Sequence, residues 1–152
     1  MQTLEVLRSV EVDRDAEVVR RQFGDVDHHA ATTVHRNVVF EVIEDDGERC
    51  RYRQISRVGP FRLRQEMELD RTESGPLVNR IVSGQFTGGS IAFDVAPRGD
   101  SRSVVEARLT APLSGLQRLA APILRAQVGK QLEAALVEDK ADLEEGAYGQ
   151  TS

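Results

Sequence analysis

Apolar residues fall on even positions at the start of the chain, Leu4, Val6, Val10 and Val12, with Glu5, Ser9 and Glu11 between them. A period of two turns one face of an extended strand inward and leaves the other in water. Asp13 or Asp15 can then cap a short helix over 15–23, in which Ala16, Val19 and Phe23 share a face and after which Gly24 supplies the stop. Residues 25–30 are polar and suit one more helical turn or a loop. From 32 to 108 the period of two returns. β-Branched residues crowd 32–44 up to the turn Asp45-Asp46-Gly47, Arg49, Arg51 and Arg53 alternate with Cys50, Tyr52 and Gln54, and Gly59-Pro60 ends that run. Phe61, Leu63, Gln65, Met67 and Leu69 then alternate with Arg62, Arg64, Glu66, Glu68 and Asp70. Turn signals at 74–76, 87–89 and 97–100 delimit further strands at 77–83, 90–96 and 103–111. Starts about 10–15 residues apart leave no room for crossover helices, which predicts an antiparallel meander-like sheet of about seven strands.

The tail follows another period. Leu116, Leu119, Ile123, Leu124, Val128, Leu132, Ala135, Leu136 and Leu143 recur at steps of three and four, the stripe of an amphipathic helix. Pro122 suits its first turn, and a helix over 122–145 would be about 35 Å long, enough to cross a sheet. Residues 1–146 are expected to form one domain and 147–152 a flexible tail. A strand, one or two short helices, a run of strands and a long closing helix make an α+β fold. Its natural packing places the helix in the concave face of a curved antiparallel sheet, leaving room for an apolar pocket of about 300–1,000 Å³.

The opening strand over 6–13, the helix over 16–23 and the amphipathic stretch over 116–143 together resemble the helix-grip superfamily (SRPBCC). That superfamily comprises START lipid-transfer domains, birch-pollen-allergen-like proteins and the polyketide cyclase/dehydrase group. The resemblance lies in element order and hydrophobic pattern. Many members carry a Trp shortly after the second short helix, where this chain has His28-His29-Ala30 and no Trp at all.

Composition narrows the options. Of 152 residues, twenty are Lys or Arg and twenty-five are Asp or Glu, a net charge of −5 with the signs interspersed, unlike a concentrated nucleic-acid footprint or a polybasic membrane anchor. The basic run from Arg49 to Arg64 faces Glu66, Glu68 and Asp70, which suggests cross-strand charge pairing. No apolar run approaches the length of a membrane span. One cysteine, Cys50, and no leader pattern point to a reducing cytoplasm. The pattern predicts a hydrophobic small-molecule ligand, no nucleic-acid or membrane partner, and no cofactor, and it is compatible with a homodimer.

Strand parity selects the pocket. Arg36, Val38 and Phe40 share one face, Tyr52 and Gln54 another, and Leu63, Gln65 and Met67 a third; Phe93 and the helical Leu124 and Val128 complete the candidate ligand-binding set. Arg36 is expected at the mouth, and Tyr52, Gln54 and Gln65 are polar groups that need either each other or a ligand. The resemblance implies binding of a lipid, isoprenoid, quinone or polyketide-like molecule. Its alternatives are a cyclase/dehydrase-like reaction in which Arg36, Tyr52 and Gln65 stabilise an enolate, or an interaction domain. Few aromatic residues, with Phe61 counted among the inner rings, suggest an aliphatic ligand over a flat aromatic one. His28, His29 and His35 lie close in sequence and could converge with Asp27 or Glu41 on a metal. Without HExxH or paired-Cys spacing the simpler expectation is an exposed helix end and an outward strand residue, so no metal is assigned.

Overall fold

A computed structural model describes residues 2–58, 61–72, 74–146 and 148; the Gly59-Pro60 break and the chain end other than Tyr148 lie outside the described residues, as do the Val58 and Phe61 side chains. The elements are β1 (Gln2–Val12), α1 (Ala16–Phe23), α2 (Val26–Ala31), β2 (Val38–Asp45), β3 (Arg49–Val58), β4 (Phe61–Asp70), β5 (Leu77–Ser83), β6 (Ser90–Pro97), β7 (Ser103–Leu113), α3 (Leu116–Leu119) and α4 (Ala121–Glu145). The meander runs from β2 to β7, and β1 then adds beside β7, giving the order β1-β7-β6-β5-β4-β3-β2 with all neighbours antiparallel. The sheet is curved and open, and α4 lies in its concave face. Leu4, Val6 and Val12 of β1, Met67 and Leu69 of β4, Val105 and Ala107 of β7 and Leu132, Leu136 and Leu143 of α4 form the core.

Local chemistry fixes the element ends. Asp15 accepts the N–H of Val18 at 2.9 Å and caps α1, and Asp25 accepts that of His28 at 3.0 Å and caps α2. Gly47, with φ +91°, supplies the left-handed turn between β2 and β3. The basic stripe pairs across strands as its sequence suggested: Arg51 with Glu66 at 3.1 Å, Arg53 with Glu41 at 2.9 Å and Arg49 with Asp70 at 3.8 Å.

Two boundaries differ from expectation. β2 begins at Val38, because His35 and the backbone N–H of Arg36 are both held by Glu138 of α4, at 3.1 Å each, so this stretch follows the helix and leaves the sheet ladder. The apolar stripe of the tail does not face the sheet throughout: Leu116, Leu119 and Ile123 are 82%, 81% and 64% exposed. A break at Ala120 separates α3 from α4, and the inward stripe begins at Leu124. Beyond α4 the Tyr148 hydroxyl donates to Asp25 at 2.8 Å and its ring packs on His28.

The helix is fastened across the sheet. Lys140 donates to the Glu11 carbonyl at 2.6 Å, Arg14 to that of Leu143 at 2.7 Å, and Gln131 to that of Arg57 at 2.6 Å. Arg71 adds a separate clamp, gripping both oxygens of Asp45 at 2.8 and 3.1 Å and the Gly24 carbonyl at 3.0 Å. The Arg71 guanidinium holds the Asp45 carboxyl at about 2. A lowered carboxyl pKa contributes stability above its unfolded value near 4 that is lost as pH falls towards 2. Asp45→Asn is therefore expected to lower the urea midpoint at pH 7, with the gap to the parent protein closing between pH 4 and pH 2.

Candidate functional site

Between the concave face and α4 lies a cavity of about 140 Å³. Its wall is mostly apolar: Val38 and Phe40 of β2, Ile91 and Phe93 of β6, Leu109 of β7, Phe23 and Val26 from the short helices, and Val128, Leu132 and Ala135 of α4. The cavity is smaller than the pocket expected from the fold. Four of the chain's seven Phe and Tyr residues, Phe23, Phe40, Tyr52 and Phe93, line it. Phe23 and Phe93 pack at 5.0 Å between ring centroids, and Phe40 and Tyr52 at 5.9 Å. The scarce rings are thus concentrated on this surface.

Polar groups on the wall mostly satisfy one another. The Tyr52 hydroxyl donates to Asn79 Oδ1 at 2.7 Å, and Gln54 Nε2 donates to Ser56 Oγ at 3.2 Å. Burial pushes the Tyr52 phenol well above its ordinary range, so it acts here as a neutral donor. Because β4 lies between β3 and β5, the Tyr52–Asn79 bond passes over β4. By register it crosses β4 at Met67 and Leu69, and Met67 is fully buried there; Gln65 is buried and Leu63 packs against the core, and none of these three inward-parity residues lines the cavity.

One end of the cavity is different. His29, His35 and Asp139 all contribute to its wall, and their side chains are only 8%, 6% and 5% exposed. Asp139 lies between two rings, 2.8 Å from His29 Nε2 and 3.4 Å from His35 Nε2, and accepts the Gln22 amide at 3.0 Å. The other nitrogen of each ring also faces an acceptor: His29 Nδ1 meets the Asp25 carbonyl at 2.8 Å and His35 Nδ1 meets Glu138 at 3.1 Å. Burial opposes charge on both rings, but Asp139 outweighs it by hydrogen bond and by charge, and both imidazoles are raised above 6.5. Burial likewise opposes charge on Asp139, yet the two rings hold its carboxyl at about 2. His28 takes part at the rim, 2.8 Å from Asp142.

This arrangement corrects the expected exposed helix end and outward strand residue. The three histidines converge on α4, and the oxygen between His29 and His35 comes from Asp139, with neither Asp27 nor Glu41 among the close group. A signal existed: Asp139 falls on the stripe Leu132, Leu136 and Leu143, so a carboxylate occupies a core position of an otherwise apolar face. Gln22 occupies the same kind of position on α1, where it is completely buried.

Of the other candidates, Val38, Phe40, Tyr52, Gln54, Phe93 and Val128 meet at the cavity. Arg36 does not. It is exposed in the 32–37 connection, because strand parity does not apply ahead of β2. Leu124 packs against the core one turn before Val128, outside the cavity wall. The group Arg36, Tyr52 and Gln65 therefore does not assemble around one reacting atom. Cys50 is fully buried, and burial pushes its thiol up to about 12, which leaves it protonated.

A curved antiparallel sheet wrapped on a long C-terminal helix with a cavity between them defines the helix-grip (SRPBCC) fold. No protein-family model matches the chain, and no curated protein matches it in sequence. Solved structures do match. The Zhui aromatase/cyclase from Streptomyces sp. R1128 aligns with a TM-score of 0.75 at 16% identity over 97% of this chain and 98% of its own. A START superfamily protein from Mycobacterium smegmatis aligns with a TM-score of 0.73 at 17% identity over 93% and 97%. Norcoclaurine synthase from Thalictrum flavum, in complex with dopamine and hydroxybenzaldehyde, aligns with a TM-score of 0.72 at 14% identity over 99% and 90%. At these identities the likeness is one of fold. Among the described residues no helix is long and apolar enough to cross a membrane.

Proposed function

We propose that this protein binds a small, mainly apolar molecule in the cavity between its sheet and α4. The observation that carries this reading is the cavity itself: a mainly apolar wall drawn from α1, α2, β2, β6, β7 and α4, closed at one end by buried polar groups. A protein fills a core to crystal-like density unless space is kept for something. A void of about 150 Å³ lined by apolar residues holds a molecule the size of benzene. The volume of about 140 Å³ therefore favours a ring-sized ligand, or the ring-sized part of a quinone, isoprenoid or polyketide-like molecule, over an extended lipid chain. The concentration of Phe and Tyr on the wall favours an aromatic ring, against the aliphatic preference that composition suggested. The neighbours' names are consistent with this choice, since two are those of an aromatase/cyclase and of an enzyme in complex with dopamine and hydroxybenzaldehyde.

The test is a titration with phenol followed by methyl NMR. Val38, Ile91, Leu109 and Val128 methyl signals are expected to shift together, with thermal unfolding moving upward as phenol saturates the site. Val128→Phe places a ring in the cavity and is expected to weaken phenol binding at least about tenfold, the order of a lost apolar contact. Native mass spectrometry of freshly purified protein would identify a ligand carried through purification. Phenol that moves no cavity methyl, together with a spectrum containing bare protein alone, would sink the proposal.

A further inference from the structure

The polar end of the cavity has more structure than a ligand pocket requires. A single ring would satisfy the buried carboxylate of Asp139. Instead two near-parallel rings, 5.4 Å apart between centroids and 22° between planes, both turn Nε2 onto it. One nitrogen of each ring and a carboxylate oxygen of Asp139 lie within 4.8 Å of one another. Ligands sharing one ion through bonds of about 2.0–2.2 Å sit roughly 3–4 Å apart, so small side-chain rotations suffice. We propose that His29 Nε2, His35 Nε2 and an oxygen of Asp139 form a binding site for a divalent transition-metal ion, with its open side facing the cavity.

Two further observations support that assignment. Each ring has its Nδ1 committed elsewhere, His29 to the Asp25 carbonyl and His35 to the Glu138 carboxylate, which selects the tautomer whose Nε2 lone pair points at the site. Such outer partners are the usual company of metal-bound imidazoles. The Gln22 amide fixes Asp139 at 3.0 Å and Asp142 at 2.9 Å, while its own oxygen stays buried without a hydrogen-bond partner, so this side chain is arranged to hold the carboxylates.

The donor set narrows the ion. Imidazole with a carboxylate suits zinc, iron, nickel or copper more than calcium or magnesium. Three protein ligands leave coordination positions open, as in sites where the metal meets a bound molecule or water. An ion here would face the apolar cavity, and a cavity ligand bearing an oxygen could reach it. The site rests on its own geometry and does not depend on the phenol-sized ligand proposed above.

The test uses Co²⁺ as the only probe, added to chelator-treated full-length protein and followed by its visible absorption. One equivalent is expected to bind. Glu138→Gln, a positioning variant on a partly exposed side chain, is expected to bind about 10–100-fold more weakly, the usual cost of an outer-shell change. Asp139→Asn is expected to lose binding by a larger factor. A crystal of the parent protein soaked in Co²⁺ should show one anomalous peak bonded to His29, His35 and Asp139. Should Asp139→Asn fail to fold, the soaked crystal and Glu138→Gln decide the matter. A parent protein that takes up no Co²⁺, a peak elsewhere, or undiminished affinity in both Glu138→Gln and Asp139→Asn would overturn the site. Phenol binding measured on the same sample separates that failure from a failure of the apolar pocket.

Discussion

Replacing Asp139 with alanine is expected to destabilise the protein by about 3–5 kcal/mol, the cost of removing one partner from a buried ion pair. Asp139 is buried, and its carboxylate answers two buried imidazoles and the Gln22 amide at once. Its loss leaves the two buried rings beside each other, His29 with only the Asp25 carbonyl and His35 with Glu138 as its remaining carboxylate. Urea unfolding at pH 7 in the presence of a chelator would measure this directly. Asp139→Leu should cost a similar amount, because an apolar side chain fills the space yet leaves Nε2 of both rings without its acceptor. A change below about 1 kcal/mol, the range of exposed ion pairs, would show that the network contributes little to the fold.

The second large effect belongs to Leu136, one turn earlier on α4 and 1% exposed. Leu136→Ala is expected to cost about 2–5 kcal/mol through lost burial and the cavity left behind. The helix cannot collapse onto the gap, because Lys140, Arg14 and Gln131 hold it to the backbone of the sheet and its connection on both sides. The same substitution should loosen the helix that carries Asp139, so hydrogen exchange of α4 amides is expected to rise along with the fall in the urea midpoint. Unfolding midpoints within error of the parent protein would mean that α4 repacks more freely than these anchors allow.

These two residues also show what could be read in advance. Leu136 was legible from the spacing of the stripe, since a helix shows the same face every three to four residues and Leu132, Leu136 and Leu143 repeat on it. Asp139 sits on that same face, but periodicity alone does not say whether a polar residue there is buried with partners or ends the apolar stripe. Its partners are more than a hundred positions away, at His29 and His35, and nothing local connects them. Arg36 shows the opposite case. Its β-branched surroundings predicted a strand, and the carboxylate of Glu138 drew the backbone out of the ladder instead.

Gln65 and Met67 make a related point about sheets. Parity correctly turned them inward, because side chains alternate faces with a period of two whatever their neighbours are. Whether an inward residue meets empty space depends on what spans it, and at Met67 the Tyr52–Asn79 hydrogen bond reaches from β3 to β5 over the strand between. Such a bridge joins residues by register across several strands, and no pairwise sequence spacing encodes it.

By itself the sequence determined which segments become strands or helix, which of their faces turn inward, and hence a curved antiparallel sheet closed by one long helix. These follow from short-range periodicity and turn chemistry, which act within a few residues. Only the tertiary structure decided that the cavity is ring-sized and that two histidines and one aspartate meet at its end. Those features depend on how far the sheet curves and where α4 crosses it, and so on contacts between residues that the chain brings together only after it has folded.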